Sequence, residues 1–260
     1  MASSELIDRE DGDMAQRDVL IPTADGTCDA GLHTPAGAGP WPGAIMFPDA
    51  GGKRPTFHAM AQRLADLGYA VLLPDLYYRH GEVAPFDMRT AFAEPGERAR
   101  LMGLVASVTK EVAARDTGAM LDFLATRPEV APTPVGTTGY CMGGGLALTA
   151  AGRFPDRVAA AASFHGGKLA TTEPDSPHLL AGSMRAKVYV AGATDDPSFD
   201  AGQRERLAAA LADAGVDHTL ETYPARHGFA VPDNATYDEA AAARHWRALE
   251  ELFASSLVAA

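Results

Sequence analysis

Val135-Gly136-Thr137-Thr138-Gly139-Tyr140-Cys141-Met142-Gly143-Gly144-Gly145-Leu146-Ala147-Leu148 decides how this chain is read. A strand-forming run reaches a hinge, a single cysteine stands at the hinge, and a helix-forming run follows. Glycines sit two positions before and two after the cysteine, giving Gly-x-Cys-x-Gly. This is the nucleophile-elbow pattern with sulfur in place of the usual serine oxygen. A sharp strand-to-helix turn pushes its central residue out of the sheet in a strained backbone conformation. Side chains at 139 and 143 would collide there, hence the glycines. The helix starting at Met142 directs its first N–H groups and its positive dipole end toward the thiol, an arrangement that favours thiolate.

Two plainer readings compete. A lone cysteine is often a small buried hydrophobe, and a glycine-rich turn between strand and helix also occurs in dinucleotide-binding folds. The second requires Gly-x-Gly-x-x-Gly, and Cys141 occupies the place of its middle glycine. The strand before and the helix after Cys141 favour a nucleophile over a packing residue.

Outward from the hinge, strands and helices alternate. Short apolar runs at residues 43–47, 69–73, 158–164 and 187–191 suit strands buried on both faces. Helical periodicity covers residues 56–67, 97–126 (in two pieces), 146–154, 203–214 and 237–253, and residues 218–223 alternate like a strand. Two strand-like runs at 17–21 and 27–33, joined through a turn at 22–26, predict an N-terminal hairpin. Residues 1–16 are charged and aperiodic and read as a mobile leader. Residues 17–260 read as one domain of class α/β, with a mainly parallel sheet covered by helices on both faces. In such sheets ligands bind beyond the carboxyl ends of the strands.

The bulk composition narrows the function. The chain has 260 residues, 47% of them hydrophobic, and a formal net charge of −12. An acidic chain with no run of Lys or Arg is a poor ligand for nucleic acid or an anionic membrane surface. No apolar stretch approaches the roughly 20 residues needed to span a bilayer, and the start lacks the basic and apolar regions of a secretory signal. Its two cysteines, Cys28 and Cys141, make no disulfide framework, so a reducing, cytoplasmic setting is the simpler reading. Cys28 reads as structural. The histidines have no metal-ligand spacing, and the loop 48–55 misses the phosphate-loop pattern because Arg54 follows Lys53. Neither a metal nor a cofactor is expected, and a small molecule is the expected partner; oligomeric state stays open.

Reactive residues follow the strands. Thiol-dependent hydrolysis needs a thiolate, an imidazole to move the proton, and a carboxylate to orient the imidazole. Cys141, Asp195 and His227 supply these in the order nucleophile, acid, histidine, each on a turn after an expected strand. Asp195 competes with Asp196. The Gly-x-x-Asp spacing from Gly192 selects Asp195, while Asp196 before Pro197 reads as a turn former. His165 also follows a strand and reads as a pocket residue.

Gly139-Tyr-Cys141-Met-Gly143-Gly144, Gly192-Ala-Thr-Asp195, His227-Gly-Phe229 and Pro74-Asp-Leu-Tyr77 together resemble the dienelactone hydrolases (carboxymethylenebutenolidases), from about residue 17 to the C-terminus. The resemblance implies an α/β-hydrolase fold without a large cap domain, no cofactor, and hydrolysis of a lactone or small ester. It implies an oxyanion hole formed by the backbone N–H groups of Ala50 and Met142. It places a cysteine-activating acid at position 49, where this chain has Asp49 for the family's glutamate; the alternative for Asp49 is a turn residue paired with Lys53 or Arg54. The family holds its substrate's carboxylate with arginines. Arg79 matches one of these, but Val231 stands where the second is expected. Tyr77, Tyr78 and Phe229 complete the expected substrate contacts. Hydrolysis of a neutral ester or thioester is the nearest alternative; a non-catalytic binding protein or a thiol redox protein are the others.

Overall fold

The computed structural model describes residues 16–257. The leader expected at 1–16 lies outside them, except for Gln16, which begins the first strand. One sheet of eight strands runs through the molecule: β1 (Gln16–Thr23), β2 (Gly26–His33), β3 (Gly43–Phe47), β4 (Ala70–Pro74), β5 (Val135–Tyr140), β6 (Val158–Phe164), β7 (Lys187–Ala193) and β8 (His218–Tyr223). Their spatial order is β1-β2-β4-β3-β5-β6-β7-β8. β1 and β2 form the expected hairpin, and β2 pairs antiparallel with β4; every other pairing is parallel. The expected α/β class with a mainly parallel sheet is what forms.

Among the described residues there are six α-helices, five between strands and the last after β8: α1 (Pro55–Asp66), α2 (Pro95–Ser107), α3 (Lys110–Ala125), α4 (Met142–Arg153), α5 (Ala201–Asp213) and α6 (Glu239–Ser256). The strand residues alternate between the two helical layers, as the period of two requires. Ala44 and Met46 of β3 face α1 and α6, packing with Phe57, Leu64, Leu249 and Phe253. Ile45 and Phe47 face the other way, toward Leu121 of α3, Leu148 of α4 and Leu207 of α5. Each such fully buried side chain is worth roughly 1.5–3 kcal/mol relative to exposure. The break inside 97–126 falls at Val108-Thr109. Thr109 caps α3 through its hydroxyl, which accepts from the Val112 N–H. Asp200 and Asp238 cap α5 and α6 in the same way.

Cys28 is fully buried in β2, and its thiol donates to the Asp75 carbonyl at 3.4 Å. Burial pushes that thiol up to about 12, so it stays protonated, consistent with a structural role. The chain leaves β3 toward β4 on one side and later returns with β5 on the other, so the strand order reverses beside β3. Ala50 and Cys141 follow the ends of those two strands, at the switch point where this architecture opens a crevice.

Candidate active site

The hinge between β5 and α4 has the conformation its glycines demand. Cys141 sits at φ 54°, ψ −118°, in the strained left-handed region, with Met142 as the first residue of α4. A Cβ on Gly139 would overlap the Gly143 carbonyl, and a Cβ on Gly143 would overlap the carbonyl oxygens of Phe47 and Pro48. The first turn of α4 is therefore pressed against the end of β3, and Cys141 is lifted to the partly exposed rim.

His165 follows β6 and lies under the hinge. It is fully buried, and its Nδ1 accepts a hydrogen bond from the Cys141 N–H at 3.2 Å. That bond places the ring proton on Nε2, an atom with no hydrogen-bond partner. Burial, and then the neighbouring His227, push His165 well below the ordinary histidine range. It is a neutral ring packed edge-on against His227 and Phe229, with centroids 5.1 and 5.0 Å away.

His227 is brought to Asp196, not to the expected Asp195. Its Nδ1 lies 2.7 Å from Asp196 Oδ2, and Ser198 Oγ donates to the other carboxylate oxygen, Oδ1, at 2.6 Å. Asp195 adopts φ 53° and is exposed. The left-handed turn at 195 throws that side chain to solvent and delivers the next one to the imidazole. Asp196 also forms the turn expected of it, accepting the Ser198 N–H at 2.9 Å. Burial would raise the Asp196 carboxyl, but the bonds from His227 and Ser198 outweigh it and hold it below the usual carboxylate range. Burial likewise works against a charged His227. Its bond to Asp196 and its proximity to Cys141 prevail, and raise His227 to about 10. With Nδ1 taken by Asp196, Nε2 is the nitrogen left for Cys141.

Across the crevice, the loop after β3 is fixed at both ends of one peptide. The Gly51 N–H donates to Asp49 Oδ1 at 2.9 Å, and the Tyr77 hydroxyl donates to the Ala50 carbonyl at 2.7 Å. The Ala50 N–H has no acceptor among the described residues, and the Met142 N–H, first in its helix, has none within it. Both expected oxyanion donors are thus free of internal bonds. The segment 81–107 lies over this loop, with Met88, Ala91 and Leu101 packed on Ala50.

Asp49 makes no hydrogen bond to the cysteine among the described residues. Arg54 Nη1 and Nη2 donate to its two oxygens at 2.6 and 3.1 Å, and Asn234 Nδ2 adds a bond at 3.2 Å. Other expected contacts also fall elsewhere. Arg79 is forked between Asp25 and Asp116, at 2.8 and 2.7 Å. The Tyr78 hydroxyl lies on Thr23 and Asp116 at 2.6 and 3.2 Å. Both side chains thus bind the β1–β2 hairpin to α3, because the turn after β4 runs back along that hairpin. Tyr77 is buried as the strut just described, and Phe229 is buried with its ring stacked on Tyr223, centroids 5.2 Å apart. Val231 is fully buried. Among the described residues no group of three or more His, Cys, Asp or Glu side chains could hold a metal, and no helix is long and apolar enough to cross a membrane.

A family model, that of the dienelactone hydrolase family, matches residues 28–257. The chain belongs to the dienelactone hydrolase family. Members of comparable length surround it. A Synechocystis sp. protein named for carboxymethylenebutenolidase activity is 26% identical over 245 residues, 92% of this chain and 96% of the relative. A Klebsiella pneumoniae structure described as a dienelactone hydrolase superposes with a TM-score of 0.78 at 25% identity, covering 92% of this chain and 98% of the other. A dienelactone-hydrolase-like promiscuous phosphotriesterase from metagenomic libraries superposes with a TM-score of 0.77 at 28% identity, covering 95% of this chain and all of the other. As a member of this family, the protein is a hydrolase of α/β-hydrolase fold acting on small molecules.

Sequence spacing ranked Asp196 behind Asp195 and missed Ser198 and Asp233. For Asp196 a signal existed, since Asp-Pro-Ser is a turn sequence and a turn can present its own side chain. The pairing of Arg54 with Asp49 was one of the alternatives open at position 49, whereas Asp233 carried no signal, because it lies far along the chain from Arg54.

Proposed function

We propose that the protein hydrolyses neutral carboxylic esters or lactones through an acyl-enzyme on Cys141, with His227 as proton carrier and Asp196 as its orienting carboxylate. The observation that carries this reading is the position of His227 between Asp196 and Cys141, with its charged form favoured by both. The thiolate of Cys141 adds to the ester carbonyl, and the developing oxyanion is received by the N–H groups of Ala50 and Met142. On collapse the ester C–O bond breaks, and the His227 imidazolium gives its proton to the departing alkoxide. Water then attacks the thioester. Now neutral, His227 takes the water's proton, the carboxylic acid leaves, and the thiolate–imidazolium pair returns.

What supports a neutral substrate is the state of the two positions expected to bind a carboxylate. Arg79, the position expected to grip a substrate carboxylate, is already neutralised by Asp25 and Asp116. Position 231 offers a buried valine instead of a second guanidinium. An anionic dienelactone therefore lacks the bidentate clamp that the resemblance implies.

The test is a panel of short neutral aryl esters, neutral lactones and carboxylate-bearing lactones on wild type, Cys141→Ala and Cys141→Ser. The expected result is turnover of neutral substrates, loss of it in Cys141→Ala, and a small residue in Cys141→Ser. Undiminished hydrolysis by Cys141→Ala would remove the proposal. A neutral aryl phosphotriester belongs in the same panel, given the activity named for the metagenomic neighbour.

A further inference from the structure

Arg54, its side chain only 9% exposed, stands between two carboxylates. It grips Asp49 as described, and its Nε and Nη2 donate to Asp233 Oδ2 and Oδ1, both at 2.8 Å. Thr56 Oγ1 donates to Asp233 Oδ2 at 2.7 Å. Asn234, next along, donates to Asp49. The network thus ties the loop of Ala50 to the loop that follows His227, and the second loop is itself closed by a bond from Thr236 to the His227 carbonyl. These two loops carry the oxyanion donor and the base.

From this geometry we infer that Asp49 is a positioning residue for the oxyanion hole, acting on the Ala50 peptide and not on the thiol. The inference rests on the acyl-transfer reading above. Its logic is local. Asp49 Oδ1 accepts the Gly51 N–H, Tyr77 holds the carbonyl of that same peptide, and Arg54 with Asn234 holds Asp49. The Ala50 N–H belongs to the preceding peptide, whose Asp49 carbonyl accepts the Gly52 N–H at 2.9 Å; with the next peptide also fixed at both ends, the turn gives the Ala50 N–H one direction. Hydrogen bonds to charged groups are short and directional, so the aim survives each turnover. An acid that activated the cysteine would need a free oxygen facing Sγ. Both Asp49 oxygens are instead taken by Arg54, with Gly51 on one and Asn234 on the other.

The two roles separate in one experiment. Alkylation of Cys141 by iodoacetamide uses the thiolate but forms no oxyanion, whereas ester hydrolysis uses both. In full-length Asp49→Ala, kcat for a neutral aryl ester is expected to fall by roughly 30- to 100-fold, the range of a displaced oxyanion donor, with KM within about twofold. The alkylation rate and its pH profile are expected to stay within about twofold of wild type, which also shows the site to be folded. Asp49→Asn keeps an oxygen for the Gly51 N–H, and is expected to stay within about fivefold of wild-type kcat. Equal slowing of alkylation and hydrolysis with a shifted alkylation profile would overturn the inference in favour of thiol activation, and an unchanged kcat in Asp49→Ala would overturn it outright. Hydrolysis that survives Cys141→Ala would instead strike the acyl-transfer reading, and the inference with it.

Discussion

Asp196 meets His227 Nδ1 with one carboxylate oxygen at 2.7 Å and holds its own turn with the other, while its neighbour Asp195 faces solvent from a left-handed backbone. Two adjacent aspartates are thereby separated into one that orients an imidazole and one that reverses the chain. Asp196→Asn is expected to lower kcat by about 10³-fold or more, because an amide cannot stabilise the imidazolium or fix its tautomer. Asp195→Asn, whose replacement tolerates the same backbone, is expected to stay within about twofold. Steady-state kinetics on the pair checks both.

The elbow gives a paired packing prediction. A methyl group at Gly139 or Gly143 would overlap backbone, whereas at Gly145 the nearest atom would be Leu169 Cδ2 at 3.8 Å. Gly139→Ala and Gly143→Ala are expected to cost about 3 kcal/mol or more. Gly145→Ala, within α4, is expected to be neutral or to stabilise by about 0.5–1 kcal/mol. Urea unfolding midpoints distinguish the three.

Arg79 is expected to matter to the fold and not to substrate choice. Arg79→Gln would leave Asp116, only 5% exposed, without its guanidinium. A loss of about 2 kcal/mol in stability is expected, with the ratio of kcat/KM for anionic over neutral esters unchanged. A selective loss of the anionic substrates would restore Arg79 as a substrate contact.

Stability is expected to peak near neutral pH. His33 is fully buried, its Nε2 3.2 Å from His58 Nδ1, and burial lowers it to about 4; burial lowers His245 to about 3. The unfolded chain binds these protons more readily, so stability is complete above about pH 6.5 and declines as pH falls toward 4, by about 1.4 kcal/mol per group per pH unit within that window. His227 has the opposite sign. Its raised value contributes below about 6.5 and is lost as pH rises through 10. Denaturation midpoints from pH 4 to 10 should trace this arch, and His33→Gln should flatten its acid limb.

The parts of this molecule that announce themselves in sequence are those fixed by local geometry. Gly139 and Gly143 mark a close approach of backbone to backbone, and the apolar runs of β3, β4, β6 and β7 are long enough to be read without partners. Asp196 was not legible against Asp195, because a single φ of opposite sign decides which side chain points inward. Arg54 and Asp233 meet across a sequence gap of 179 residues, and charge patterning within one segment carries no trace of such a meeting. Tyr77, Tyr78 and Arg79 are adjacent in sequence, yet one braces the Ala50 loop and two bind the hairpin. Which way each points is set by bonds to elements that form elsewhere in the chain.

The sealed state of Cys28 has a practical meaning. With one of the two thiols enclosed in the core and kept protonated, the folded protein offers a single thiol to solvent, and that thiol stands at the hinge. A gentle thiol assay on native material therefore counts reduced Cys141 one for one. Dividing the velocity of purified, folded protein by that count gives turnover per reduced Cys141.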